Sequence, residues 1–334
     1  MTYVTNHLNT AELATLQTKF MQNVLKDEEE WELVLTEKDF DGCSKDFIAS
    51  ARQAAIDRKK GPSDYVITLG RSMVEPFLSS SKRRDLRKKV FEAFSKRGEL
   101  NPDRDNLKTA VDMLRLRKRQ AALHDKQSFA SYQFEDTMAQ TPEAGMKLLT
   151  DVWEKAKDAA NREREMMEAF LTEKGETLEG GGIEPWDWRF YSEQVRIAKY
   201  NFDENDMKPY FSLEAVTAAA FDVSNKLYGL RYVKRDDIVA YHPDVNVYEV
   251  RRDKQDAPGE DELVAIFLHD NYARQFKSSG AWMSEYRTQT KNLDPNADPV
   301  EAIPIVSNNN NFSKGAEHTL LSFDDGTTLF HELG

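Results

Sequence analysis

Cysteine is almost absent from this chain: Cys43 stands alone among 334 residues, so no internal disulfide can form. Secreted proteins of this size more often carry several, which points to a reducing compartment and a cytoplasmic location. Long apolar runs are missing too. The most apolar one, LVAIFL at Leu263 to Leu268, is far below the ~20 residues of a bilayer span, so no membrane partner is expected. The opening MTYVTNHLNTAEL has no basic stretch followed by an apolar one and does not read as a signal peptide. Basic charge is also in deficit. With 46 Lys and Arg against 58 Asp and Glu, the net charge is -12, which argues against a phosphate-binding face and against nucleic acid as a partner.

What is present is a soluble globular balance, 40% apolar and 31% charged. Leu13, Leu16, Phe20, Val24, Trp31 and Val34 recur at steps of three, four or seven, which predicts an amphipathic helix from Ala11 to about Leu35. Ser44 is a plausible N-cap for a second helix, and Tyr65 to Gly70 reads as a short strand closed by glycine. Val74 to Lys96 and Asp103 to His124 read as charged helices whose basic runs, KRRDLRKK and RLRKRQ, are expected to be solvated faces. Thr141 and Pro142 suit the N-cap and N1 of a long helix with Leu149, Val152, Ala156 and Ala159 on one side, ending at the EKGETLEGGG loop. Two more helices follow, the second stopped by Gly229.

After Gly229 the texture changes to LRYVK, VNVYEVR, LVAIFLH, GAWMSEY and IPIVSNN, up to five short strands. The expected fold class is therefore mainly α with a small β-sheet (α+β), divided into a helical region over 1–228 and a sheet-bearing region over 229–334. A terminal helix capped by Asp324 or Asp325 would bury Leu329, Phe330 and Leu333 beside His331. The asparagine run at Asn308 to Asn311 is the one low-complexity feature.

Six histidines leave few candidates for chemistry. The chain stops on HELG, and His331–Glu332 has the form of the first half of His-Glu-x-x-His, in which two imidazoles four apart hold a metal and the Glu acts on water. An accidental pair on a helix surface would look the same. His242 before Pro243 is expected to make a structural hydrogen bond, His269–Asp270 closes a strand without a second ligand at helical spacing, and His318 lies in a polar loop. KSSGAW lacks the serine–glycine pattern of a nucleophile elbow.

Six blocks in order, EPWDWRFYSEQVR, KPYFSLEAV, VAYHPDVNVYEV, NYARQFKSSGAWMSEYRTQ, IPIVSNNNNFSK and LLSFDDGTTLFHELG, resemble the thimet oligopeptidase family of zinc peptidases, in particular its bacterial peptidyl-dipeptidase branch. WELVLT, MVEPFL and FEDTMAQTPE extend the likeness over nearly the whole chain. The resemblance implies a helical zincin-type (neurolysin-like) fold, here incomplete, and zinc-dependent hydrolysis of short peptides with release of C-terminal dipeptides. It implies His331 as a zinc ligand and Glu332 as the general base, with Gly280 and Ala281 on an edge strand pairing with substrate main chain. The remaining ligands would lie outside this chain, on which reading it is a fragment, inactive by itself, with a complementary C-terminal fragment as a possible partner. Internal cleavage of short peptides, or a non-catalytic peptide-binding relative, are the alternatives. The sequence departs from the family's usual pattern at Gln275, Phe276, Asn310 and Leu333.

Overall fold

The computed structural model describes residues 2–201, 206–253, 260–290, 302–315 and 318–334. In chain order the elements are α1 (Thr2–Glu30), β1 (Leu33–Leu35), α2 (Lys45–Asp57), β2 (Tyr65–Ile67), α3 (Arg71–Ser80), α4 (Arg84–Ser95), α5 (Asn106–Leu123), α6 (Phe129–Gln133), α7 (Pro142–Lys174), α8 (Trp188–Tyr200), α9 (Leu213–Tyr228), β3 (Arg231–Lys234), β4 (Asn246–Asp253), β5 (Asp261–Tyr272), β6 (Trp282–Arg287), β7 (Ile305–Phe312) and α10 (Phe323–Leu333). The mainly helical α+β class is what the structure has. Its residues group into two compact units: Met1–Gly42 with Val66–Leu69 and Val74–Tyr200, and Cys43–Tyr65 with Gly70–Met73 and Asn201–Gly334.

In the first unit, α1 ends at Glu30 rather than Leu35, because Leu33–Leu35 leaves the helix to pair with β2 and to bury Leu35. The helix expected over Val74 to Lys96 is two helices. Its break at Ser81–Arg83 comes where the Lys82 amide turns to the Asp41 carbonyl (2.9 Å) and the Ser81 carbonyl accepts from Arg87 (2.8 Å). Arg87 also corrects the picture of KRRDLRKK as a solvated face. It is 1% exposed and meets the fully buried Asp187 at 2.7 Å, while Arg84 approaches the same carboxylate at 2.8 Å. Burial pushes the Asp187 carboxyl up, but the hydrogen bonds from Arg84 and Arg87 outweigh it and hold the group below its ordinary range.

Thr141 caps α7 through its hydroxyl, with Pro142 at the first helical position, and Gly175 closes the helix in the left-handed conformation at φ 67°. The apolar side placed at Leu149, Val152, Ala156 and Ala159 is not buried. Leu149 and Val152 are 65% and 57% exposed, and the buried residues of the helix are Met167 and Leu171, which pack with Phe170 against Tyr191.

In the second unit a five-stranded sheet runs in the order β3-β4-β5-β7-β6. All pairs are antiparallel except β5 with β7. Helices α9 and α10 cover one face. Leu329 of α10 is 1% exposed among Leu213, Val216 and Ala220 of α9, Phe312 of β7 and Leu321, a burial that stabilises by about 1.5–3 kcal/mol for a leucine. Phe221 stacks on Tyr232 at 3.9 Å and edges onto Tyr248 and Phe267, locking α9 to β3, β4 and β5. Among the described residues no helix is long and apolar enough to cross a membrane.

Candidate active site

Helix α10 carries the His331–Glu332 pair. Its start is set by Ser322, not by Asp324 or Asp325. The Ser322 hydroxyl accepts from the Asp325 amide (3.0 Å), and the Asp325 carboxylate accepts from the Ser322 amide (2.9 Å), a reciprocal capping box. A short antiparallel bridge ties that start to the beginning of α9: the Leu213 amide donates to the Thr319 carbonyl and the Leu321 amide to the Phe211 carbonyl, each at 2.8 Å. With Leu329 inward, the 3.6-residue period sends His331 to the opposite side, where it is exposed, while Glu332 and Leu333 are half-buried. Phe330, expected to be buried, is 39% exposed.

The helix packs on β7 and α9 and reaches β6. Among the described residues, strand β6 has β7 on one side and no strand on the other, so there it is a sheet edge. Its main-chain directions follow from β7. The Ile266 amide donates to the Pro304 carbonyl and the Ala273 amide to the Phe312 carbonyl, both at 3.0 Å. Main-chain groups alternate in direction along a strand, so even-numbered residues of β7 serve β5 and odd-numbered ones serve β6. Trp282 and Ser284, opposite Asn309 and Ser307, therefore turn their main chain toward β7, and Met283 turns its N–H and C=O to the open edge. Gly280 and Ala281 lie in the bend that leads into β6. Gly280 has φ 95°, which glycine alone adopts without strain, and its carbonyl accepts from the Asn311 side chain at 2.6 Å.

His242 accepts the Asp244 amide on Nδ1 at 3.2 Å, the structural bond expected of it, and His318 is exposed. His269 is 2% exposed, ringed by Phe221, Tyr248 and Phe267, with Nδ1 3.2 Å from the Asn271 amide nitrogen. Burial lowers its pKa to about 4, with Asp270 opposing and Lys277 adding to the shift. Asp270 points to the other face. Burial pushes its carboxyl up, yet the hydrogen bonds from Arg274 (2.6 Å), Lys277 (2.9 Å) and Tyr241 (2.7 Å) bring it down to about 2.

These shifts have a sign. Between the ordinary histidine value of 6.5 and about 4, the unfolded chain binds a proton on residue 269 that the folded chain refuses, so stability falls as pH drops through that window. The loss by pH 4 is on the order of 3 kcal/mol from this group alone, and Asp270 adds its own loss only below 3.8. Urea unfolding at a series of pH values is expected to show that slope in the native chain and not in His269→Gln, which keeps an acceptor and cannot titrate.

Sequence reasoning missed the asparagine run. Asn308, Asn309 and Asn310 are each no more than 3% exposed. Asn310 Nδ2 donates to Asn271 Oδ1 and Asn308 Oδ1, and Asn308 Nδ2 lies 3.5 Å from the Leu329 carbonyl of α10. The signal was available: four amides between β-branched residues and Phe312 are a strand whose polar side chains have been given partners.

A catalytic zinc needs three protein ligands. Among the described residues no three His, Cys, Asp or Glu side chains converge as a metal site. His331 supplies one exposed imidazole, so these residues by themselves do not fit the ion.

Residues 77–334 match the profile of peptidase family M3. The chain is 36% identical to a dipeptidyl carboxypeptidase of Escherichia coli (strain K12), covering 98% of this chain and 46% of that protein. It is 27% identical to oligopeptidase A of Haemophilus influenzae (97% and 46% covered) and 29% identical to an organellar oligopeptidase A of Arabidopsis thaliana (97% and 41%). It thus spans about half the length of the curated relatives it matches. With more than half of its residues under one family profile, this chain belongs to peptidase family M3.

Proposed function

We propose that the chain forms part of a zinc-dependent peptidase that hydrolyses short peptides and releases C-terminal dipeptides. The observation that carries the reading is a helix bearing His331 and Glu332, capped and packed on β7, beside a strand that among the described residues forms the edge of the sheet. An extended peptide can add to such an edge by main-chain hydrogen bonds. In this reading His331 is a zinc ligand, Glu332 the base that takes a proton from the attacking water, and Gly280–Ala281 the start of the substrate-pairing segment. Zinc, when bound, polarises the scissile carbonyl. Residues 229–334 act as the catalytic region and 1–228 as its helical support, in a cytoplasmic protein. The likeness to dipeptidyl carboxypeptidase, higher in identity than that to oligopeptidase A, favours dipeptide release over internal cleavage.

Two measurements test this. Elemental analysis of the purified 334-residue chain is expected to find far less than one zinc per molecule, and stoichiometric zinc would contradict the ligand assignment. Product analysis on an N-blocked tetrapeptide, with these residues extended to the length of the relatives, is expected to give the C-terminal dipeptide. Internal fragments alone would favour the oligopeptidase reading, and an uncleaved peptide would favour the non-catalytic one.

A further inference from the structure

The segment from Lys277 to Trp282 reaches the sheet edge without ordinary ladder pairing at its start, because Gly280 at φ 95° lifts it out of extended geometry. Side chains of β5 and β7 hold it instead. The Lys277 side chain is 5% exposed, and its ammonium donates to the Asp270 carboxylate, to the Asp270 and Tyr272 carbonyls (each 3.0 Å) and to the Asn310 carbonyl. Asn311 spends its Nδ2 group on two carbonyls two residues apart, Ser278 at 2.8 Å and Gly280 at 2.6 Å. Asn309 donates to the Trp282 carbonyl at 3.1 Å and to Ser307 Oγ at 2.9 Å. The carbonyls of residues 278, 280 and 282 are thus all drawn toward β7. Alternation then leaves the main chain of Ala281 and Met283 directed away from it.

We infer that Asn311, assisted by Asn309, is a positioning residue that holds the Ala281–Met283 main chain at the height and angle an incoming peptide strand must match. The inference rests on the reading of β6 as a peptide-pairing edge. Its chemistry is specific: only a primary amide at position 311 offers two N–H donors on a stem short enough to reach both carbonyls from β7. An aspartate there has the same shape and places an acceptor against two acceptors.

Hydrogen–deuterium exchange of the full chain separates the two claims. Without peptide, Asn311→Asp is expected to exchange residues 278–283 about 10-fold faster or more than the native chain, with β4 and β5 unchanged. Native-like exchange at 278–283 would overturn the inference. Should Asn311→Asp loosen the whole sheet, Asn311→Ser decides in the same way, local loosening supporting the assignment and unchanged exchange defeating it. With millimolar N-acetyl-hexaalanine, the native chain is expected to slow at Ala281 and Met283 and the Asn311 variant to lose that slowing. Equal slowing in both rejects the positioning role. No slowing in the native chain, with the peptide-free difference intact, rejects the peptide-edge reading and leaves the clamp standing.

Discussion

Exchanging Glu332 for glutamine is expected to reduce dipeptide release by about 10²–10⁴-fold, the usual worth of a positioned general base. The measurement is made on residues 1–334 extended to the length of the relatives, as in the test of the proposed function. The half-buried carboxylate of Glu332 follows His331 on a rigid helix, so its placement is set by the capping box and by Leu329 rather than by its own contacts. Glutamine preserves shape and helix propensity, which confines the loss to proton transfer. The drop should therefore fall on kcat, with KM little changed. A variant that retains a tenth or more of native kcat would remove Glu332 from the role of base. Unfolding midpoints equal to the native chain's would show that the helix itself is undisturbed.

Asp187→Ala should be the most damaging single change to folding in the helical unit. Asp187 has no exposed surface and accepts from Arg84, from Arg87 and from the Glu184 amide at 3.2 Å. Removing the carboxylate strands the Arg87 guanidinium, which is 1% exposed and also lies over the Phe190 ring at 4.3 Å. An uncompensated buried charge of this kind costs about 3–5 kcal/mol, far beyond the ~1 kcal/mol of an ordinary substitution. Denaturant unfolding reads the loss directly. The double variant Asp187→Ala, Arg87→Met, which removes both charges, is expected to recover a large part of it. A loss under about 1 kcal/mol for Asp187→Ala would mean that water reaches Arg87 and that the pair is not sealed.

The legible parts of this fold were those with local causes. Ser44, Thr141 and Pro142, Gly229 and the five segments rich in β-branched or aromatic residues after it each act within a few residues, and each stands where the sequence placed it. The illegible parts were settled at long range. Leu33–Leu35 continues a helical stripe but is claimed by a strand that arrives thirty residues later. Arg87 looks like one more cation on a charged helix until Asp187 meets it from a hundred positions away. The stripe at Leu149 and Val152 has helical spacing yet is exposed, since periodicity reports that a face is apolar, not that something covers it. At the candidate site the His331–Glu332 pair was plain from sequence. The clamp formed by Asn311 was not, because four consecutive asparagines look alike until strand alternation sends Asn308 and Asn310 to one face and Asn309 and Asn311 to the other.

Strand order carries a last consequence, for the time course of folding. Although β7 follows β6 in the chain, it sits between β5 and β6. When β6 leaves the ribosome, the strand it pairs with among the described residues does not yet exist, and β5 presents a flank to which β6 is not meant to bind. The interval calls for a guard against premature association, and β6 carries one in the exposed charges of Glu285 and Arg287 and the irregular register between them. Once β7 slots in, β6 and α10 gain their supports together. Within this sheet, the surface on which catalysis is proposed would thus be the last to ripen, only after non-local pairing, which is inherently slow.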